Sequence, residues 1–518
     1  MPLLPRSRLS TWILLSGVLL LAGLYAVWLW TDALTDLGGD SAGYLIISRL
    51  YSPYHAASAA TLAFKNAIIT PPLFPLLLTL VDGGYHFLAA HLLVGGFAVA
   101  SSIALYWWLS NEGFRWWIAA LVALLFAILP ITMQTAFNIW TEFPYLFFSM
   151  AAIALLTRTP NGPTRTDWYG AAAMVACSCL IRVAALPLLA AFLLYLALRR
   201  PGQWLAMALT AALPFIIWAL YSSLNERGAG SYVNHFVDVY AGDPVGKLIM
   251  QCRIEYGAVF HAWKTGWLQY SSSGELHGIV TGFWYVCIVG WLVRLVRLKF
   301  DAIYGLLYLA ELFMWPHPEE AARYSFVLYP LFIGSGFLLL ALLPKRMAEP
   351  GGRPYLTATA VVVMLLTVLP AAVHDLDLFN ADIPPEIEAA RHTQDWYTNS
   401  RYYAVADGYY YQRLFRHIGA IGEQVAPGEC VYAIKPTLVT LFADRTGEGP
   451  PKISAGEAQF NAEIGKCRYA YVLPFPSPSF PQALYPMDRL GTRAKILSRL
   501  EGASGNIDGA LIEIQPAK

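Results

Sequence analysis

Acidic side chains stand at the edges of long apolar runs in this 518-residue sequence, and each has a basic residue near a comparable edge. Asp40 closes the run Asp36-Leu37-Gly38-Gly39-Asp40 just past the first apolar stretch. An aspartate there can take a proton from an attacking hydroxyl or amine, or simply cap a helix or sit solvated in a loop. Asp36 is the second candidate for the same work. Glu142, in Trp140-Thr141-Glu142-Phe143-Pro144-Tyr145, lies at the mouth of an apolar run of about 15 residues. A carboxylate beside hydrocarbon is costly unless partnered, and it also suits a helix N-terminus. It could therefore position an acceptor, act as acid or base, hold a metal, or only cap a helix.

Arg182, Arg323 and Lys65 supply positive charge at similar edges. A guanidinium matches phosphate oxygens in a two-pronged fashion, whereas the alternative for a long basic side chain is reaching out to headgroups. The run Trp315-Pro316-His317-Pro318-Glu319-Glu320-Ala321-Ala322-Arg323-Tyr324 concentrates an imidazole, two carboxylates, a guanidinium and a phenol. A divalent metal could use His317 and Glu319. Sugar binding by the same groups, with Tyr324, is the other use of this composition.

The elements that must carry these residues are membrane helices. Hydrophobic residues make up 57% of the chain and charged ones 13%, at a mean hydropathy of +0.48, where a soluble domain is about 25% charged. The net charge of +1 gives no nucleic-acid footprint. Thr11 to Trp30 is uncharged and long enough to cross about 30 Å of hydrocarbon, and with no small-residue cleavage motif it reads as a retained helix. Further apolar runs lie near 86–110, 116–138, 143–157, 168–181, 183–198, 203–222, 276–293, 302–315, 325–343 and 354–373, about eleven in all.

Short cytoplasmic loops carry the Lys/Arg excess. Arg6/Arg8, Arg115, Arg158/Arg165, Arg199/Arg200, Arg294/Arg297/Lys299 and Lys345/Arg346/Arg353 then share the cytoplasmic side, together with the N-terminus. Both flanks of Trp168–Leu198 are basic, which requires a hairpin turning near Arg182 at the outer face. The outer loops are about 31–85, 132–142, 223–275 and 316–324, with an amphipathic interfacial helix expected from Ser231 to Pro244. Residues 1–373 form the membrane module, and 374–518 form an extracytoplasmic α/β domain with a helical region around Ile383 to Ile421 and strands at Cys430–Ile434 and Arg468–Leu473. Cys430 and Cys467 begin those strands in an oxidising compartment and are predicted to pair.

An Asp past the first span, Pro71-Pro72-Leu73-Phe74-Pro75-Leu76-Leu77, Thr141-Glu142 before a Tyr/Leu/Phe-rich fourth span, and Arg323-Tyr324 before a late span occur in that order. This set resembles the GT-C superfamily of polyprenyl-phosphate-sugar-dependent glycosyltransferases, nearest to the protein mannosyltransferase-like group and the lipid A aminoarabinose transferases. It extends over roughly residues 1–345 and to Lys435-Pro436…Leu441-Phe442. The resemblance implies a polytopic α-helical fold and a polyprenyl-phosphate-sugar donor entering from the lipids of a bacterial inner (plasma) membrane. It also implies a glycolipid, polysaccharide or protein acceptor on the outer face, and inversion at the anomeric carbon. It makes Asp40 the catalytic base. A lipid-phosphate leaving group calls for positive charge, for which Arg182, Arg323 and Lys65 are the candidates; Tyr324 and His317 join them in the donor-binding set, and Glu142 orients acceptor or ion. Only some members use a metal. A transporter or flippase of a lipid-linked saccharide, or a membrane-anchored scaffold, would also place charges at one face. Transport folds favour repeats with discontinuous helices, and none is visible here.

Overall fold

In the computed structural model every one of these apolar runs is helical. The structure describes residues 8–30, 34, 40–64, 70–158, 162–199, 201–225, 240, 242–268, 274–315, 317–342, 353–380, 403–453, 455–473, 484–501 and 507–516. Arg8–Trp28, Phe87–Asn111, Trp204–Leu224, Gly274–Val296 and Ala321–Leu342 are each long and apolar enough to cross a bilayer. Trp116–Ala127 and Pro130–Ala136 make a further candidate bent by 61°. The break falls where Pro130 offers no N–H to the preceding turn but suits the first turn of the next helix. Glu142–Leu156, Val183–Arg199 and Thr357–Ala371 are shorter apolar helices. The protein is a multi-pass membrane protein with a mixed β-sheet domain at its C-terminal end.

The described chain gathers into two compact units. The first comprises Met1–Trp30, Thr70–Phe74 and His91–Leu376. Its first helix is exposed along Leu19 and Leu20, as a lipid-facing surface should be, and is pinned by Tyr25, whose hydroxyl donates to Ala127 O (2.8 Å), and by the Trp28 indole to Met133 O (3.0 Å). Helix Arg165–Ile181 opens with a reciprocal cap: Asp167 N–H donates to the Thr164 hydroxyl, and Thr164 N–H to Asp167 Oδ2 (2.9 Å). It stops at Arg182, whose backbone is extended (φ −154°, ψ 134°), and Leu186–Arg199 returns beside it. Trp168 near one end stacks within 5.7 Å of Tyr195 near the other, which only a hairpin allows. Gly274–Val296 and Tyr329–Leu342 approach so closely that a Cβ on Gly290 would overlap the Ser335 carbonyl. Arg294 grips Asp301 with two nitrogens (2.6 and 2.7 Å) and Glu112 with one (2.8 Å), tying three helix ends.

The stretch 223–275, read from sequence as an outer loop, holds the 25-residue helix Pro244–Leu268. Lys247, Arg253, Glu255 and Lys264 dilute its hydropathy, while Trp263 and Trp267 are buried, Trp263 among Trp284 and Tyr329. The amphipathic segment expected before it lies mostly outside the described residues.

The second unit comprises Thr31–Ile69, Pro75–Ala90 and Asp377–Lys518, so its members come from both ends of the chain and not from 374–518 alone. Arg49, at the end of helix Asp40–Leu50, donates from Nε to Gly84 O (2.8 Å) and from Nη1 to Leu441 O (2.7 Å). Ser58 hydrogen-bonds Asp444, and Phe87 meets Phe442 edge-on. The sheet runs β2-β1-β3-β5-β4, with β1 Cys430–Ala433, β2 Thr446–Glu448, β3 Tyr469–Val472, β4 Ala494–Glu501 and β5 Ile507–Ile514. β1 is parallel to β2 and β3, while β5 is antiparallel to β3 and β4. Parallel β1 and β3 need a crossover, supplied in part by helix Glu457–Ile464, whose Phe460 and Ile464 pack on Tyr432, Ala470 and Val472. Cys430 and Cys467 are joined by a disulfide. The polar helix expected around 383–421 appears as Tyr403–Gln424, and residues 381–402 lie outside the description.

Candidate functional site

Three separate sequence segments of the first unit converge on one carboxylate. Glu142 is the first residue of Glu142–Leu156 and is fully buried. Arg182 arrives from the hairpin turn and Arg323 from the short helix Ala321–Ser325. Arg182 Nη1 and Arg323 Nε each lie 2.6 Å from the same oxygen, Glu142 Oε1. The Arg323 contact is an aligned hydrogen bond. Arg182 Nη1 makes an ion pair without an aligned hydrogen bond among the described residues. Glu142 Oε2 is likewise buried with no hydrogen-bond partner among them. Glu320 reaches Arg323 at 3.7 Å but is 42% exposed, where solvent weakens such a pair.

Aromatic rings fix the two guanidiniums. Arg323 lies 4.2 Å from the Trp140 ring centroid, and Arg182 5.1 Å from that of Tyr324. Tyr308 donates its hydroxyl to Tyr324 O (3.0 Å), and the hydroxyls of Tyr145 and Tyr304 meet at 2.6 Å. Burying two cations against one carboxylate oxygen leaves neither fully neutralised in a region of low dielectric. Such an arrangement can take an anion with oxygens to share, and its unpartnered Glu142 Oε2 can accept from a hydroxyl or amine.

The structure thus brings together Glu142, Arg182, Arg323 and Tyr324. His317 caps the 3-10 turn Pro318–Glu320, its ring 5.8 Å from that of Trp315. The side chain of Glu319 lies outside the described residues, and among those described no three His, Cys, Asp or Glu side chains are grouped to hold a metal. Asp40 is in the second unit, exposed, and starts helix Asp40–Leu50. Lys65 and Asp36 lie outside the described residues. Reading by sequence passed over Tyr145, Tyr304, Tyr308 and Glu311. The available signal was an acid inside an apolar run, Glu311, spaced three and seven residues from two tyrosines, which puts all three on one helical face.

No family model and no curated relative matches the sequence. Solved structures match it over nearly its whole length. The crystal structure of ArnT from Cupriavidus metallidurans in the apo state aligns with a TM-score of 0.51 at 10% identity, covering 98% of each chain. That of the same ArnT bound to undecaprenyl phosphate aligns at 0.47 and 12%, covering 97% of each. The fold of this chain is therefore ArnT-like, helices and mixed-sheet domain together.

Proposed function

We propose that this protein is a membrane glycosyltransferase that moves a sugar from a polyprenyl-phosphate-linked donor to an acceptor at the outer face of the membrane. The observation that carries the reading is the convergence of Arg182 and Arg323 on one buried oxygen of Glu142. The ArnT-like fold and the motif order in the sequence support it.

In the proposed reaction an acceptor hydroxyl or amine attacks the anomeric carbon, the bond from that carbon to the phosphate oxygen breaks, and the acceptor's proton passes to a carboxylate base. The leaving phosphate is already a stable anion, so it needs positive charge more than a proton. Arg182 and Arg323 supply that charge with fixed forks of N–H donors. Glu142 keeps the two guanidiniums from repelling each other and offers Oε2 to the acceptor. Asp40 as the base, inversion at carbon, and an outward-facing C-terminal domain are carried over from the resemblance and the Lys/Arg distribution.

Undecaprenyl phosphate, the lipid in one of the ArnT crystals, is the first probe. The purified chain should bind it, and Arg182→Ala with Arg323→Ala should abolish that binding. Unchanged binding in the double variant removes the phosphate assignment. Lipid phosphate released only when acceptor is present, and lost in Asp40→Asn, separates a transferase from a flippase.

A further inference from the structure

Glu311 lies in the helix Phe300–Met314, one turn on from Tyr308, whose hydroxyl donates to the O of Tyr324, the residue whose ring Arg182 faces at 5.1 Å. Its Oε2 is buried with no hydrogen-bond partner among the described residues. It interacts electrostatically with Arg182, and with Tyr145, Tyr304 and Tyr308. Two carboxylate oxygens without donors, Glu142 Oε2 and Glu311 Oε2, therefore belong to the surroundings of one guanidinium. Buried carboxylates in native proteins find donors, and phosphate has none to give. A sugar does: its free hydroxyls are donors, and they sit on the ring carbons next to and beyond the anomeric carbon that carries the phosphate.

We propose that Glu311, flanked by the Tyr304 and Tyr308 phenols, is the specificity residue that separates sugar-bearing lipid from bare lipid phosphate. This rests on the phosphate reading of Arg182 and Arg323. A glycosylated lipid phosphate is a diester with one negative charge, and its sugar hydroxyls donate to Glu311. The spent lipid is a monoester with more negative charge and no sugar hydroxyls to offer, so the same carboxyl gains no such bonds from it and, when ionised, repels it. One side chain thereby favours the donor and helps the product leave.

The test compares binding of undecaprenyl phosphate alone with a panel of undecaprenyl-phosphate-linked pyranoses, using the full chain in detergent. Wild type should bind at least one panel member about tenfold or more tightly than the bare lipid, the scale of a lost charged hydrogen bond. Glu311→Gln should shrink that ratio to within about threefold, partly by binding the bare lipid more tightly. Glu311→Asp, which keeps the charge, should retain a preference and serves if the glutamine variant does not fold. A ratio unchanged in Glu311→Gln, or no panel member preferred by wild type, overturns the proposal. If wild type binds neither kind of lipid, it is the phosphate assignment of Arg182 and Arg323 that falls.

Discussion

Glu142 is the residue on which two cations depend. Removing one partner of a buried ion pair leaves uncompensated charge and costs about 3–5 kcal/mol, and here the loss strands both Arg182 and Arg323. Glu142→Ala is thus expected to lower the thermal midpoint of the purified protein by several degrees. The triple change to Ala at 142, 182 and 323 should recover part of that loss, because no charge is left stranded. A midpoint unmoved by Glu142→Ala would mean that the guanidiniums find other counter-charges. His417 makes a separate prediction in the second unit. Its Nδ1 meets the Tyr471 hydroxyl at 2.7 Å, its Nε2 is buried without a hydrogen-bond partner among the described residues, and burial holds the imidazole below its usual value. The unfolded chain therefore takes up this proton first as pH falls below about 6.5. The contribution is full above that value and is lost toward the lower folded-state value. Comparing unfolding midpoints at about pH 5 and about pH 7.5, His417→Gln should narrow the gap seen in wild type.

At the level of elements, apolar runs were legible because a helix in lipid must satisfy its backbone internally, and that requirement writes long uncharged stretches into the sequence. The hairpin at Arg182 was legible for a related reason: two basic flanks demand an even number of passes. Helix Pro244–Leu268 was not, since it packs through Trp263 and Trp267 while carrying charges elsewhere, and no apolar run results. β1 and β3 could be read from short apolar runs, but β2 is only Thr446-Gly447-Glu448, a strand defined by its neighbour and not by its residues. The arginine–glutamate site was half legible. Residue types and edges pointed to each member, whereas their meeting on one oxygen is tertiary. Helix contact also gives a test: Gly290→Ala should destabilise by about 1–3 kcal/mol, because the methyl meets the Ser335 carbonyl. Gly282→Ala, in open space on the same helix, should be neutral or stabilising by up to about 1 kcal/mol. Equal effects at both positions would contradict the close approach.

At the scale of the molecule, the second unit is built from an early loop and a late domain. Deleting 377–518 should therefore do more than remove an appendage. Arg49 of helix Asp40–Leu50 loses Leu441 as a partner and Ser58, just ahead of helix Ala59–Phe64, loses Asp444, and protease sites within 40–64 should become cleavable in the truncated protein while remaining protected in the full chain. A loop that stays protected after truncation would show that it folds without the late domain.

Arg49 and Leu441 are 392 residues apart, and at about 5–20 residues per second the ribosome needs on the order of 20–80 seconds to cover that interval. Throughout it the newly made early loop waits, with its arginine committed to nothing from the far end of the gene. Stalled or prematurely ended synthesis would leave membrane helices inserted but this loop unfinished, so a nonsense mutation near the 3′ end should read out as early as residue 49.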